Sequence, residues 1–150
     1  MTERNRRTCV REARNSEWGQ LIDLLAEAGL PTADLSNDVN VRFYVAEDDH
    51  SLLGCVAIIT YESNVLVRSL AVREGHRNEG IGTQLLDTVE RAARDHGARD
   101  AYLLTLTAES FFCHRDYRLI DRSEAPSGIA ASTEFASVCP VSAAFMKKRL

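Results

Sequence analysis

Arg77-Asn78-Glu79-Gly80-Ile81-Gly82 stands between a strand-like run, Leu66 to Val72, and a helix-like run that begins at Thr83. That order aims an Arg-x-x-Gly-x-Gly loop at a helix N-terminus, where several backbone N–H groups lack an intrahelical partner. Free donors at the positive end of a helix dipole form an anion site. Glycines at 80 and 82 let the backbone approach the anion without a Cβ in the way. The guest these features suit is a pyrophosphate.

Two other readings of the loop compete. A plain surface turn would use the same glycines. A dinucleotide fingerprint would begin like Gly80-Ile81-Gly82-Thr83-Gln84-Leu85, but Leu85 stands where a third small residue should pack helix on sheet. Asp100 lies at the downstream distance of a ribose-binding acid, yet at the start of the next predicted strand rather than its C-terminal end. No Gly-Lys-Ser/Thr follows, which excludes a P-loop.

Leu70-Ala71-Val72 followed by Arg77-x-x-Gly80-x-Gly82 resembles the acyl-CoA-binding core motif of the GNAT superfamily of N-acetyltransferases. Further along, Ala108-x-x-Phe111-Phe112-x-x-x-Asp116-Tyr117 resembles that superfamily's helix-into-strand motif. Ala28 to Leu35, Arg68 to Val72, and Glu134-Phe135-x-x-x-Cys139-Pro140-x-Ser142-Ala143 look like the arsenic-resistance N-acetyltransferases. Those are relatives of the N-acetylglutamate synthase catalytic domain, and some act on arsinothricin or phosphinothricin.

Acetyl transfer from a thioester to an amine requires a bound acetyl-CoA, a polarised carbonyl, a deprotonated amine and a protonated leaving thiolate. The resemblance implies that the backbone N–H groups of Arg77, Asn78, Glu79, Gly80, Ile81, Gly82 and Thr83 hold the pyrophosphate. It implies that Leu70, Ala71 and Val72 pair edge-on with the pantetheine amides, and that an N–H at Leu70 or Ala71 polarises the thioester carbonyl. Thr105 matches the Asn that usually precedes the late helix. The chain departs from the family at the proton-transfer positions, with Phe112 where a tyrosine acid is common and Leu66 where a glutamate base is common. Glu62, Glu109 and His76 remain as candidates for proton transfer, Glu62 foremost, and an ordered water is the alternative.

Arg68 sits in an otherwise apolar run, Val65 to Leu70. A buried arginine needs a partner, and its planar fork suits a carboxylate or phosphinate on the acceptor; a structural salt bridge is the competing role. Cys139 and Ser142 belong to the segment that the resemblance places at the acceptor pocket. Cys113-His114 could be offered as a nucleophile pair, but adjacent helical residues point in different directions. The four cysteines show no Cys-x-x-Cys and no zinc spacing, so no metal is expected.

The elements that must position these groups follow from periodicity. Thr8 to Ala13 reads as a strand, and Ser16 as the cap of a helix carrying Trp18, Leu21, Ile22, Leu25 and Ala28 on one face. A short helix is expected over Ala33 to Asp38, then strands over Arg42 to Glu47, Leu52 to Tyr61 and Val65 to Val72. The next helix presents Ile81, Leu85, Leu86, Val89 and Ala93 inward, with Asp87, Glu90, Arg91 and Arg94 outward, and stops at Gly97. A strand over Ala101 to Leu106 completes a βαβ unit and should run parallel to its predecessor. A helix over Glu109 to Arg115, a strand over Tyr117 to Asp121, loop and helix over Ala125 to Ala136, and a last strand over Ala143 to Lys148 finish the chain. The expected architecture is one α/β (α+β) domain over residues 1–150, with a mixed, mostly antiparallel sheet flanked by helices.

The bulk numbers agree with that reading. A length of 150 residues suits one domain, and 45% apolar with 27% charged residues is ordinary for a globular protein. A net charge of −4 with scattered arginines argues against a nucleic-acid partner. The lack of a long apolar stretch or apolar leader argues against a membrane and for the cytoplasm. The expected activity is acetyl-CoA-dependent N-acetylation of a small anionic, glutamate-like amine, with a homodimer possible. Peptide or protein N-acetylation and a non-catalytic acyl-CoA sensor are the alternatives.

Overall fold

The computed structural model describes residues 8–30, 32, 41–49, 51–77, 79–132, 135 and 142–150. The expected helix at 33–38 and the candidates Asn78 and Cys139 lie outside these residues. Seven strands among them form one sheet in the order β1-β2-β3-β4-β5-β7-β6. They are β1 (Cys9–Glu12), β2 (Val41–Glu47), β3 (Leu52–Tyr61), β4 (Asn64–Val72), β5 (Asp100–Thr105), β6 (Arg118–Leu119) and β7 (Ala144–Arg149). The only parallel pair is β4 with β5, as the βαβ connection requires, and the other ladders are antiparallel.

Each face of the sheet is covered by a helix whose apolar stripe matches it. On one face, α1 (Trp18–Glu27) sets Leu21, Leu24 and Leu25 against Phe43, Val45, Cys55 and Ala57. On the other, α2 (Ile81–Asp95) sets Ile81, Leu85, Leu86, Val89 and Ala93 against Tyr44, Val56, Ile58 and Val67. The even-numbered residues of β2 thus face α2 and the odd-numbered ones face α1, the period-two alternation of a strand buried on both sides. Two short helices, α3 (Glu109–Cys113) and α4 (Ser127–Ala130), follow β5 and β6.

Several sequence expectations need correction. Ser16 does not cap α1; it lies inside a 3-10 turn, Asn15–Glu17, whose third residue, Glu17, accepts the Arg14 N–H at 2.8 Å. Trp18 is 37% exposed and Leu24 replaces it in the core. The helix expected from Thr83 begins at Ile81, with Gly80 as its N-cap. Glu90, expected on the solvent side of α2, is 4% exposed, because β7 and the segment after α3 cover that flank. Its carboxylate accepts the Tyr117 hydroxyl at 2.9 Å and the Lys148 ammonium at 2.8 Å. Burial beside this carboxylate raises the Tyr117 pKa. The strand expected over Tyr117 to Asp121 shortens to Arg118–Leu119.

Candidate functional site

The site begins where β4 loses its neighbours. The β4–β5 ladder runs from Asn64↔Asp100 to Val67↔Leu103 and stops, although β4 continues to Val72. β5 goes on to Thr105 by pairing with Ala144 of β7. From Arg68 onward the β4 edge that faced β5 has no paired strand among the described residues, and a gap opens between the two strands. Backbone N–H and C=O groups along such an edge need partners.

The cause of the divergence lies on the other edge of β4. Against β3, Arg68 pairs with Ala57 and Ala71 with Cys55, so Ser69 and Leu70 together oppose Val56 alone. That is a β-bulge, which bends the strand and re-aims its backbone. Ser69 accommodates the extra residue in the left-handed region at φ 59°. Its carbonyl accepts a weak bond from the Cys55 thiol at 3.4 Å, and burial pushes that thiol up to about 12, so it is inert near neutrality.

The bulge separates the roles of the three predicted backbone residues. Ala71 is back in register with Cys55 on the β3 side. Ser69 and Leu70 lie within the bulge, out of one-to-one register with β3. Val72 turns its carbonyl away from β3, where the Arg77 Nε donates to it at 3.2 Å. Of the two residues expected to polarise a carbonyl, Leu70 lies inside the bulge and Ala71 just beyond it.

Beyond Val72 the chain enters the glycine turn. Gly80 takes φ 81°, a conformation that favours glycine, and its carbonyl accepts the Gln84 N–H at 3.0 Å as α2 starts. The early N–H groups of this 15-residue helix have no side-chain cap at Gly80. Nearby, Glu79 contacts the His76 ring at 3.3 Å. A Cβ at Gly82 would rest 3.6 Å from Phe111, so a small side chain has room there.

Phe111 introduces α3 as the second wall. Arg115, one helical turn further on, lies over the Phe111 ring and donates from Nη2 to the Thr83 hydroxyl at 2.6 Å. Its Nε is buried and has no hydrogen-bond partner among the described residues. A buried, unsatisfied donor beside a helix N-terminus is the kind of group a phosphate oxygen satisfies. Arg115 went unnoticed in the sequence, though Phe111 and Arg115 stand at the i, i+4 spacing of a helical pair. Ser69 was missed as well, and nothing in its local sequence announces a bulge.

Arg68 lies on the opposite, α1 side of the gap, in register with Ala57. It is 4% exposed, and its Nε donates to the Ser69 hydroxyl at 3.2 Å. Thr105 ends β5, and its hydroxyl accepts the Ala108 N–H at 3.0 Å, which ties down the start of α3. Ser142 is exposed just before β7, whose first residue pairs with Thr105. Arg68, Leu70, Val72, the 77–83 turn, Thr105 and Ser142 are thus gathered around one end of the sheet.

Glu62 is not among them, and its candidacy as the base is withdrawn. It occupies the β3–β4 turn at φ 56°, while Leu70 lies six residues along β4 from Asn64, roughly 20 Å at ~3.3 Å per residue. Phe112 is also explained by its surroundings: it is 5% exposed and packs edge-on to Tyr117 in the core. Asp116 adopts φ 74°, a conformation that favours glycine. No group of metal-ligating side chains occurs among the described residues, and no helix among them is long and apolar enough to cross a membrane.

The sequence model of the acetyltransferase (GNAT) domain matches residues 39–119, more than half the chain. The chain belongs to the GNAT acetyltransferase family. The matched stretch includes the bulge, the glycine turn of this GNAT acetyltransferase and its α3 wall. An uncharacterized N-acetyltransferase of Chlorobaculum tepidum is 31% identical over 129 residues, covering 81% of this chain and 83% of that protein. An amino-acid acetyltransferase of Pseudomonas syringae pv. tomato is 30% identical over 135 residues, 84% of this chain. The match covers 31% of that relative, so the chain spans about a third of its length. In fold it resembles N-acetylglutamate synthase from Neisseria gonorrhoeae, complexed with coenzyme A and N-acetyl-glutamate. The TM-score is 0.82 with 21% identity over 96% of this chain and 35% of that one.

Proposed function

We propose that this GNAT acetyltransferase moves the acetyl group of acetyl-CoA onto the amine of a small, anionic, glutamate-like acceptor. The observation that carries the acceptor class is Arg68, a buried guanidinium set beside the bulge at the mouth of the gap. A planar fork held in low dielectric favours a carboxylate, phosphinate or arsinate over a neutral group. The amino-acid acetyltransferase relative and the N-acetyl-glutamate in the Neisseria structure support the same class.

The 77–83 turn fits the diphosphate of the donor. It offers the uncapped N-terminus of α2, the open space at Gly80, and the Nε of Arg115, which has no partner among the described residues. The free β4 edge at Leu70 and Val72 suits the amides of pantetheine, as a strand suits an added strand. The Leu70 N–H then stabilises negative charge on the thioester oxygen as the amine attacks and the C–S bond breaks.

The amine must lose a proton and the leaving thiolate must gain one. Glu62 is too distant, and Phe112 has no hydroxyl and is in the core. Transfer through ordered water in the gap fits the residues that remain. Arsinothricin and phosphinothricin belong to the proposed acceptor class together with glutamate.

The test is release of free CoA thiol from acetyl-CoA, with glutamate, phosphinothricin, arsinothricin, a neutral amine and a short peptide as acceptors. Turnover on an anionic amino acid at least about tenfold above the neutral amine, one charge-assisted contact's worth, supports the reading. Preference for the peptide would replace it. Tight acetyl-CoA binding with no turnover on any amine would make the protein an acyl-CoA sensor.

A further inference from the structure

A cavity of about 360 Å³ lies at the other end of α2, between the helix's last turns and the sheet. That is the size of a small-ligand pocket. The eleven residues of α2 from Ile81 to Arg91 separate it from the glycine turn, roughly 16 Å at ~1.5 Å per residue. None of its lining residues belongs to the gap between β4 and β5.

The cavity follows from side-chain size. Its floor is the α2 face of the sheet, with Ile58 and Val65 on β3 and β4. The helix contributes only Ala92 and Ala93 above it, too small to fill the space between the twisting sheet and the helix end. Arg42 and Tyr44 enter from β2 and Thr60 from β3, with His96 at the mouth.

The polar groups are unspent. Tyr44 is 9% exposed, and its hydroxyl, which keeps accessible surface, has no hydrogen-bond partner among the described residues. Arg42 and Thr60 are exposed and likewise make no side-chain hydrogen bond or ion pair among the described residues. The His96 ring is fixed by a 2.8 Å contact between Nδ1 and the Ala92 carbonyl.

The charge of the occupant follows from the lining, in which Arg42 is cationic and no described residue is acidic. A helix C-terminus would ordinarily repel an anion. Here the carbonyls of Ala92, Ala93 and Arg94 accept N–H groups from His96, Gly97 and Ala98, so the last turn closes on itself. We propose that this cavity is a second small-molecule site, for a carboxylate with a short branched aliphatic body. Arg42, Tyr44 and Thr60 bind the carboxylate, and the aliphatic body lies on Ile58 and Val65 beneath Ala92 and Ala93. This site is independent of the acetyl-transfer reading.

The probe is 4-methylpentanoate, with 4-methylpentanamide as its uncharged match, titrated into the full chain and followed by NMR at Tyr44 and His96. The carboxylate should bind saturably and at least about tenfold more tightly than the amide. Arg42→Gln should remove about that preference. Ala92→Leu, which keeps a good helix former while filling the roof, should abolish binding. Acetyl-CoA affinity, measured on the same samples, should stay within about twofold, since the two ends of α2 share no contacts. Equal binding of acid and amide, no saturation by about 20 mM, or a titration unchanged in Ala92→Leu would overturn the proposal. The last result would place the probe elsewhere, including the Arg68 side of the gap.

Discussion

The two halves of β4 differ more from each other than β4 does from its neighbours. From Asn64 to Val67 the strand is paired on both edges, and Val65, Leu66 and Val67 are each no more than 2% exposed. From Arg68 to Val72 it carries a bulge on one edge and, among the described residues, no strand on the other. The first half holds the sheet together. The second holds a buried cation and a left-handed serine. In the proposed function the chemistry sits where the ladder fails, because an edge without a partner strand can take up a substrate's amides.

The largest effect should come from the turn that extends the second half. Gly82→Asp should weaken acetyl-CoA binding at least about a hundredfold, since like charges brought together cost several kcal/mol. Calorimetry reads this directly, and Gly82→Ala is the control, because its Cβ meets Phe111 only at van der Waals distance. Unchanged affinity in the aspartate variant would remove the diphosphate from this turn.

Arg68→Ala asks whether the buried cation serves substrate or sheet. Loss of a charge-assisted hydrogen bond should lower kcat/KM for an anionic acceptor by roughly ten- to a hundredfold while sparing acetyl-CoA affinity. Arg68→Lys should recover part of the loss, a point charge being a poor copy of the fork. An equal loss with a neutral amine, or a collapsed melting transition, would make the residue structural.

Arg115→Ala should weaken acetyl-CoA about tenfold, by loss of a charge-assisted contact. Turnover of acetyl-pantetheine, which lacks the diphosphate, should be unaffected. Parallel losses with both donors would show that Arg115 only braces Thr83 and Phe111. At the bulge, Ser69→Val should cost about 1–2 kcal/mol, because a β-branched residue resists the left-handed region. Ser69→Gly should be neutral or better in the same denaturant melts. If valine were tolerated, the released β4 edge would not depend on that conformation.

The smallest effect lies far from the comparison and serves as its control. Arg11 donates to Glu17 at 2.6 Å and to Glu47 at 2.9 Å, and these bonds hold the Glu17 carboxyl at about 2 and lower that of Glu47. The unfolded chain binds the proton first, so this stabilisation is complete above the ordinary carboxylate range near 4.5 and is lost as pH falls toward 2. Glu17→Gln should flatten the decline of melting temperature over that window and leave kcat at neutral pH unchanged.

Much of this organisation was legible before any coordinates. The glycine turn is local chemistry, since a glycine in φ 81° and a helix N-terminus arise from neighbouring residues. The inward face of α2 follows from a 3.6-residue period, and the parallel β4–β5 pair from the βαβ connection. What the local pattern could not specify depends on partners distant in sequence. Glu90 reads as a solvated helix residue until Tyr117 and Lys148, 27 and 58 residues away, close over it. Glu62 reads as near the core motif because it is close in sequence, yet an extended strand carries it roughly 20 Å away at ~3.3 Å per residue. The bulge at Ser69 is a mismatch of register between two strands, and register is a property of the pair. The sequence by itself determined which residues could bind an anion and which faces would be buried, because those depend on residue type and short spacings. Only the tertiary structure decided where β4 loses its partner strand, which charges are buried and which carboxylates are out of reach, because each depends on where a second strand ends.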